Sequence, residues 1–223
     1  MLPRLQAIVD VDVAARAGWD PVELAQAYLA GGAQLLQLRA KTLPSADLLA
    51  LADALVAAAA PYDAQVLIND RVDVARLANA SGVHVGQDDV PPAEARRLLG
   101  ESAIVGYSTH SVSQVRAALL EPVSYIAVGP VFGTQTKNTG YDAVGLDLVS
   151  AAADAARTTT DVARMRVVRD PIPIVAIGGI TLDTAVSVLQ AGASAVAVIS
   201  DLLVGDPVVR TRAYLQALAS HRV

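Results

Sequence analysis

Short apolar runs alternate with stretches of helical spacing along the whole chain. Leu5 to Val9 reads as a first strand ending at Asp10, and Pro21 to Ala30 as a helix stopped by Gly31 and Gly32. Leu35 to Leu38 gives a second strand, followed by a helix from about Pro44 to Ala60. The third and fourth strands, Val66 to Ile68 and Val83 to Val85, flank a short amphipathic helix over Arg71 to Asn79, and Pro91 to Leu99 is helical again. Ala103 to Val105 is the fifth strand, running into Gly106, with a helix over Ser111 to Leu120; Tyr125 to Val128 is the sixth, ending in Gly129-Pro130. Ile174 to Ile177 and Ala195 to Ile199 complete the set, with helices over Thr181 to Gln190 and from about Pro207 to Ser220.

Eight strands, each followed by a helix, predict an α/β fold: one (β/α)8 TIM barrel over residues 1–223, with its site at the C-terminal ends of the strands. The alternative, an open doubly wound sheet, lacks its glycine fingerprint after Val9. Two connections break the rhythm. Gly129 to Gly145 is a long Gly- and Thr-rich loop of the kind that forms lids and binding loops. Arg157 to Asp170 precedes a strand and so belongs to the opposite face, where Arg164, Arg166 and Arg169 read as a solvated surface or a subunit contact.

Composition narrows the classes of function. A net charge of -5 and a pI near 5.1 give no general attraction to nucleic acid or to an anionic membrane. The absence of cysteine removes disulfides, zinc-thiolate sites and thiol catalysis, and fits a reducing cytoplasm. Aromatic residues make up 4%, few for stacking bases. No targeting segment is evident at the start, and the Ala-rich run Leu48 to Ala60, interrupted by Asp53, is too short to span a bilayer.

The polar residues just past the strands supply the candidate chemistry. They are Asp10; Arg39 and Lys41, preceded by Gln37; Asn69 and Asp70; Asp88 and Asp89; Ser108 and His110; Thr134, Thr136 and Lys137; Gly178 and Gly179; and Ser200. Asp70 and Asp89 follow neighbouring parallel strands, and two carboxylates without sulfur or imidazole suit a hard cation such as magnesium. The simpler reading makes both of them caps of the following helices. Gln37, Arg39 and Lys41 alternate along an extended segment and can share a face, where two cations could grip a departing diphosphate. Gly178-Gly179 and Ser200 stand at the loops after the seventh and eighth strands, a frequent phosphate site in such barrels, or else the glycines form only a tight turn before a helix capped by Thr181. His84 lies within an apolar strand and reads as a satisfied interior histidine; His110, nearer the rim, stays open. With His221 in the tail, no Ser/His/Asp triad is suggested.

QLRAK at Gln37 to Lys41, Asn69-Asp70, GVHVGQDD at Gly82 to Asp89, GYSTH at Gly106 to His110, GPVFGTQTK at Gly129 to Lys137, IGGI at Ile177 to Ile180 and VIS at Val198 to Ser200 together resemble the thiamine-phosphate synthase family, in order and over nearly the whole chain. The resemblance implies small-molecule substrates. Gln37, Leu38, Arg39, Ala40 and Lys41, with Asn69 and Ser108, would hold 4-amino-5-hydroxymethyl-2-methylpyrimidine diphosphate. Thr134, Gln135, Thr136, Gly179, Ile199 and Ser200 would hold the phosphate of 4-methyl-5-(2-phosphoethyl)thiazole. Asp70 and Asp89 would bind Mg2+ on the diphosphate, and Lys137 would serve the leaving group, with Arg39, Lys41 and Ser108 completing the catalytic set. It also implies a dissociative reaction, in which diphosphate departs before the thiazole nitrogen attacks. No nucleic-acid or membrane partner is expected; a homo-oligomer is compatible. Two departures stand out: the first strand reads LQAIVD, which leaves Asp10 without a role, and Arg157 to Asp170 is longer than the usual connector. The rival readings are the related thiazole tautomerase, which lacks the paired carboxylates, and a non-catalytic phosphate-binding barrel.

Overall fold

The computed structural model describes residues 2–133, 142–159 and 171–220. Its strands are β1 (Leu5–Asp10), β2 (Leu35–Arg39), β3 (Gln65–Asn69), β4 (Gly82–Val85), β5 (Ile104–Thr109), β6 (Tyr125–Val128), β7 (Ile174–Ile177) and β8 (Ala195–Val198). They pair in parallel in sequence order, and β8 returns to β1 to close the barrel. Around them lie α1 (Val11–Arg16), α2 (Pro21–Ala30), α3 (Ser45–Ala59), α4 (Val72–Leu77), α5 (Pro92–Leu99), α6 (Val112–Ala118), α7 (Gly145–Thr158), α8 (Leu182–Gln190) and α9 (Pro207–Ala219).

Strand alternation sorts the side chains into two cores. Inside the barrel sit Ile8, Leu35, Leu67, Tyr125, Ala127, Val175, Ala195, Ala197 and Ile199. The intervening residues, among them Ala7, Val9, Leu36, Leu38, Val66 and Ile68, pack outward against the helices in the larger core. Each strand therefore buries both faces, which is why its sequence reads as a continuous apolar run.

Four differences from the sequence reading have local causes. The short α1 was not expected; Asp10 starts it by accepting the Val13 N–H at 3.1 Å. The fifth strand runs three residues past Gly106, so Ser108 lies within β5 and not beyond it. Ser200 opens a single 3-10 turn, Ser200–Leu203, not foreseen ahead of the α-helix expected from Pro207. Finally, α3 and the 3-10 turn after it, Ser45–Tyr62, form 18 residues of mean hydropathy 1.3, long and apolar enough by composition to cross a membrane. Its Leu48, Ala52, Leu55 and Ala59 are instead buried in the outer core.

Candidate active site

The C-terminal rim of the barrel is charged on one side. Arg39, the last residue of β2, pairs with Asp10 at the end of β1, its partner in the sheet register. Asp10 is 2% exposed and also caps α1, so the guanidinium is anchored by a buried carboxylate. Two residues on, Lys41 pairs with Asp70, an ammonium half exposed to solvent against a carboxylate that is largely covered. Gln37, 2% exposed, faces inward in line with Arg39, as its place in an apolar run suggested. Leu38 and Ala40 face the other way, into the helix layer, so only their backbones are available to a ligand at the rim.

Asp70 sits in the left-handed region at φ 64°, a conformation costing a non-glycine residue roughly 1 kcal/mol or more. Its N–H donates to the His84 carbonyl at 2.7 Å, which pins the turn against β4. Asp89 lies close enough to act on the Asp70 carboxyl. Burial, and secondarily the Asp89 carboxylate, push the Asp70 carboxyl above the usual range despite the opposing pull of Lys41. Asp89 folds back over its own turn, its Oδ2 accepting the Gly86 N–H at 2.7 Å. Asp88 is exposed.

Helix capping does not account for either acid. The residue before α4 is Arg71 and the residue before α5 is Pro91, and neither helix has a side-chain cap. Where this chain does use aspartate as a cap the bonds are plain: Asp20 accepts from Val22 N and Glu23 N before α2, and Asp206 from Val209 N before α9. A pair of oxygen donors whose charges disfavour each other, with a lysine ammonium as the neutralising cation on one, fits a hard divalent ion. Among the described residues no group of three or more His, Asp or Glu forms a fuller ligand cage, so such an ion would draw its remaining ligands from water and substrate.

The far side of the rim is built from backbone. Gly178 and Gly179 have φ of 97° and 65°. A Cβ on Gly178 would stand 2.6 Å from Pro130, and one on Gly179 would stand 2.7 Å from the Gly133 carbonyl. Val131 N and Phe132 N donate to the Ile177 and Gly178 carbonyls, at 2.9 and 3.0 Å. The glycines are thus needed first for the β6 and β7 loops to lie on each other, a role the sequence reading did not assign. Helix α8 opens with a Thr181–Thr184 capping box, and its Leu182 N–H donates to Asp201 at 3.1 Å. Those first-turn groups already have partners. Thr134, Gln135, Thr136 and Lys137 lie outside the described residues, as does most of the Arg157 to Asp170 connector with Arg164, Arg166 and Arg169.

Between the two sides stand Asn69, paired in register with His84, and Ser108, whose Oγ is 2.8 Å from His84 Nε2. His84 is buried and hydrogen-bonded at both ring nitrogens, as read from its apolar strand. His110 Nδ1 bonds the Gly129 carbonyl at 2.5 Å, tying β5 to the β6 loop. Gln6 and Tyr125, which complete the polar interior, were missed; the available signal was Gly106, a glycine inside a strand where another group must come close. A cavity of about 520 Å3 beside Arg157, Gln190 and Gly192 lies at the opposite end of the barrel and has no part in this rim.

The sequence profile of the thiamine monophosphate synthase family matches residues 5–202. The chain belongs to this family. The thiamine-phosphate synthase of Koribacter versatilis (strain Ellin345) is 42% identical over 98% of this chain and 97% of its own length. That of Anaeromyxobacter dehalogenans (strain 2CP-C) is 42% identical over 85% of this chain and 79% of its own. Among solved structures, the thiamine phosphate pyrophosphorylase of Pyrococcus furiosus superposes with a TM-score of 0.81 at 28% identity, covering 97% of this chain and 96% of that one. Membership in the thiamine monophosphate synthase family agrees with a rim rich in cations and carboxylates.

Proposed function

We propose that this chain is a thiamine-phosphate synthase, a transferase that joins 4-amino-5-hydroxymethyl-2-methylpyrimidine diphosphate to 4-methyl-5-(2-phosphoethyl)thiazole and releases diphosphate. The observation that carries the reading is the Asp70–Asp89 pair, neither of which caps the helix after it, with Lys41 on Asp70. In the reaction the C–O bond between the pyrimidine methylene and the diphosphate breaks, its electrons leaving with the diphosphate. The thiazole nitrogen lone pair then forms the new C–N bond to the methylene. No proton need move in either step, which suits a rim with no catalytic triad among its described residues.

The residues' parts combine the described rim with the family resemblance, which alone supplies those of Thr134, Thr136 and Lys137. Arg39, oriented by Asp10, and Lys41 meet the diphosphate oxygens as negative charge grows on them, where fixed cations lower the barrier most. Asn69 and Ser108 hold the pyrimidine, with Gln37 beneath. The loops at Gly179, Ile199 and Ser200, with Thr134 and Thr136, take the thiazole phosphate, and Lys137 assists the leaving group. Asp70 and Asp89 would hold Mg2+, which when bound neutralises the diphosphate and makes it a better leaving group. A thiazole tautomerase or a phosphate-sensing barrel would have no use for a paired carboxylate site beside two cations. The cysteine-free chain is assigned to the cytoplasm.

The test is to supply both substrates to purified protein and follow diphosphate release with Mg2+ and with excess chelator. Thiamine phosphate formed only with the metal supports the reading. Formation at the same rate with chelator removes the metal from it, and no formation under either condition removes the function. For Lys137, Lys137→Ala should slow turnover more than it raises the KM for thiazole phosphate.

A further inference from the structure

Below the rim, a line of polar groups crosses the barrel interior. Register sets His84, Gly106 and Tyr125 side by side on β4, β5 and β6. A Cβ on Gly106 would fall 2.1 Å from the Tyr125 ring, so the glycine is what lets that ring lie across β5. The ring stacks on His84, with centroids 5.6 Å apart and planes at 19°. Gln6 Nε2 donates to the Tyr125 hydroxyl at 3.1 Å, that hydroxyl is 2.8 Å from His84 Nδ1, and His84 Nε2 is 2.8 Å from Ser108 Oγ.

Counting protons gives the line a direction. Burial keeps the Tyr125 phenol protonated. Its oxygen accepts from Gln6, so its single proton goes to Nδ1 of His84. A neutral imidazole that accepts at Nδ1 carries its hydrogen on Nε2 and donates it to Ser108. The serine oxygen accepts that bond and keeps its own proton for the ligand.

We infer that the Gln6–Tyr125–His84 line fixes Ser108 as a hydrogen-bond donor, so that the site selects a ring-nitrogen acceptor of an aromatic heterocycle in preference to an exocyclic amine. Tyr125 and Gln6 are positioning residues, acting through His84. What Ser108 meets rests on the pyrimidine reading above, whereas the orientation of the line does not.

The first measurement therefore needs no substrate. Nitrogen-15 NMR of imidazole-labelled protein, with His110→Gln and His221→Gln assigning the other two rings, should show His84 neutral and protonated at Nε2. A ring protonated at Nδ1, or at both nitrogens, overturns the inference, and this holds whether or not Tyr125→Phe folds. The second measurement uses Tyr125→Phe, which keeps the stacked ring. The His84 tautomer preference should be lost, and the KM for the pyrimidine diphosphate should rise about tenfold while that for thiazole phosphate changes less than about twofold. Equal rises in both KM values would mean a structural role only and would overturn it. An Nε2–H ring in a protein that makes no thiamine phosphate would leave the serine's donor role standing and sink only the function.

Discussion

Asp20 and Asp206 do different work from Asp70 and Asp89, although all four stand in loops just ahead of helices. The first two accept first-turn N–H groups of α2 and α9 at 2.8 to 3.2 Å, each with a proline opening the helix. The second two stand ahead of helices without side-chain caps and lie near each other at the barrel rim. The first pair serves folding. The second carries a cost, since burial, with another carboxylate close by, opposes ionisation of Asp70. An arrangement that folding alone would not favour, backed by a left-handed backbone at Asp70, is expected where a ligand repays it.

The largest effect should come from the rim. Asp70→Ala and Asp89→Ala should each lower kcat/KM for condensation by about 100-fold or more while leaving the fold intact, as read by turnover and thermal melting. A loss under about threefold would return both residues to a structural role. Next comes Arg39→Ala, which strands the buried Asp10 carboxylate and should destabilise the protein by about 3 kcal/mol in denaturant unfolding, besides costing activity. The helix caps follow. Asp20→Ala and Asp206→Ala should each cost about 1 kcal/mol, lowering Tm by roughly 2–4 °C, with turnover within about twofold of wild type. If those variants lost turnover as the rim variants do, the contrast between the two pairs would collapse.

The smallest effect has the opposite sign. A carboxyl raised in the folded state above its unfolded value contributes stability that is present at acid pH and lost as pH rises through the folded pKa. At neutral pH Asp70 is therefore a net burden, and Asp70→Asn should raise the metal-free Tm by a degree or two even as it abolishes turnover. The gain should shrink as the pH is lowered into the carboxylate range. A lower Tm at neutral pH would show that the ion pair with Lys41 outweighs burial and the Asp89 charge.

Much of the barrel was legible because its signal is repeated. Runs such as Val66 to Ile68 and Ile174 to Ile177 bury both faces, so they stand out as apolar even without alternation. The rim was legible for the same reason, since every polar residue following such a run emerges at one end. Asp70 and Asp89 were found this way, but their choice between cap and ligand was not, because a cap depends on where the helix begins, and α4 and α5 begin one and two residues later than a cap at those positions requires. The partners of Asp10 and the Gln6–Tyr125–His84 line depend on register between strands, which the order of residues does not carry. Gly178 and Gly179 could be marked as special, but not that Pro130 and Phe132 were the reason.

The central claim is that Asp70 and Asp89 together hold a divalent cation on a diphosphate. Electron paramagnetic resonance of Mn2+ titrated into the protein with inorganic diphosphate tests it most directly, comparing wild type with Asp70→Asn/Asp89→Asn. The account predicts a protein-bound signal in wild type that is lost in the double variant, and equal binding by the two proteins would contradict it.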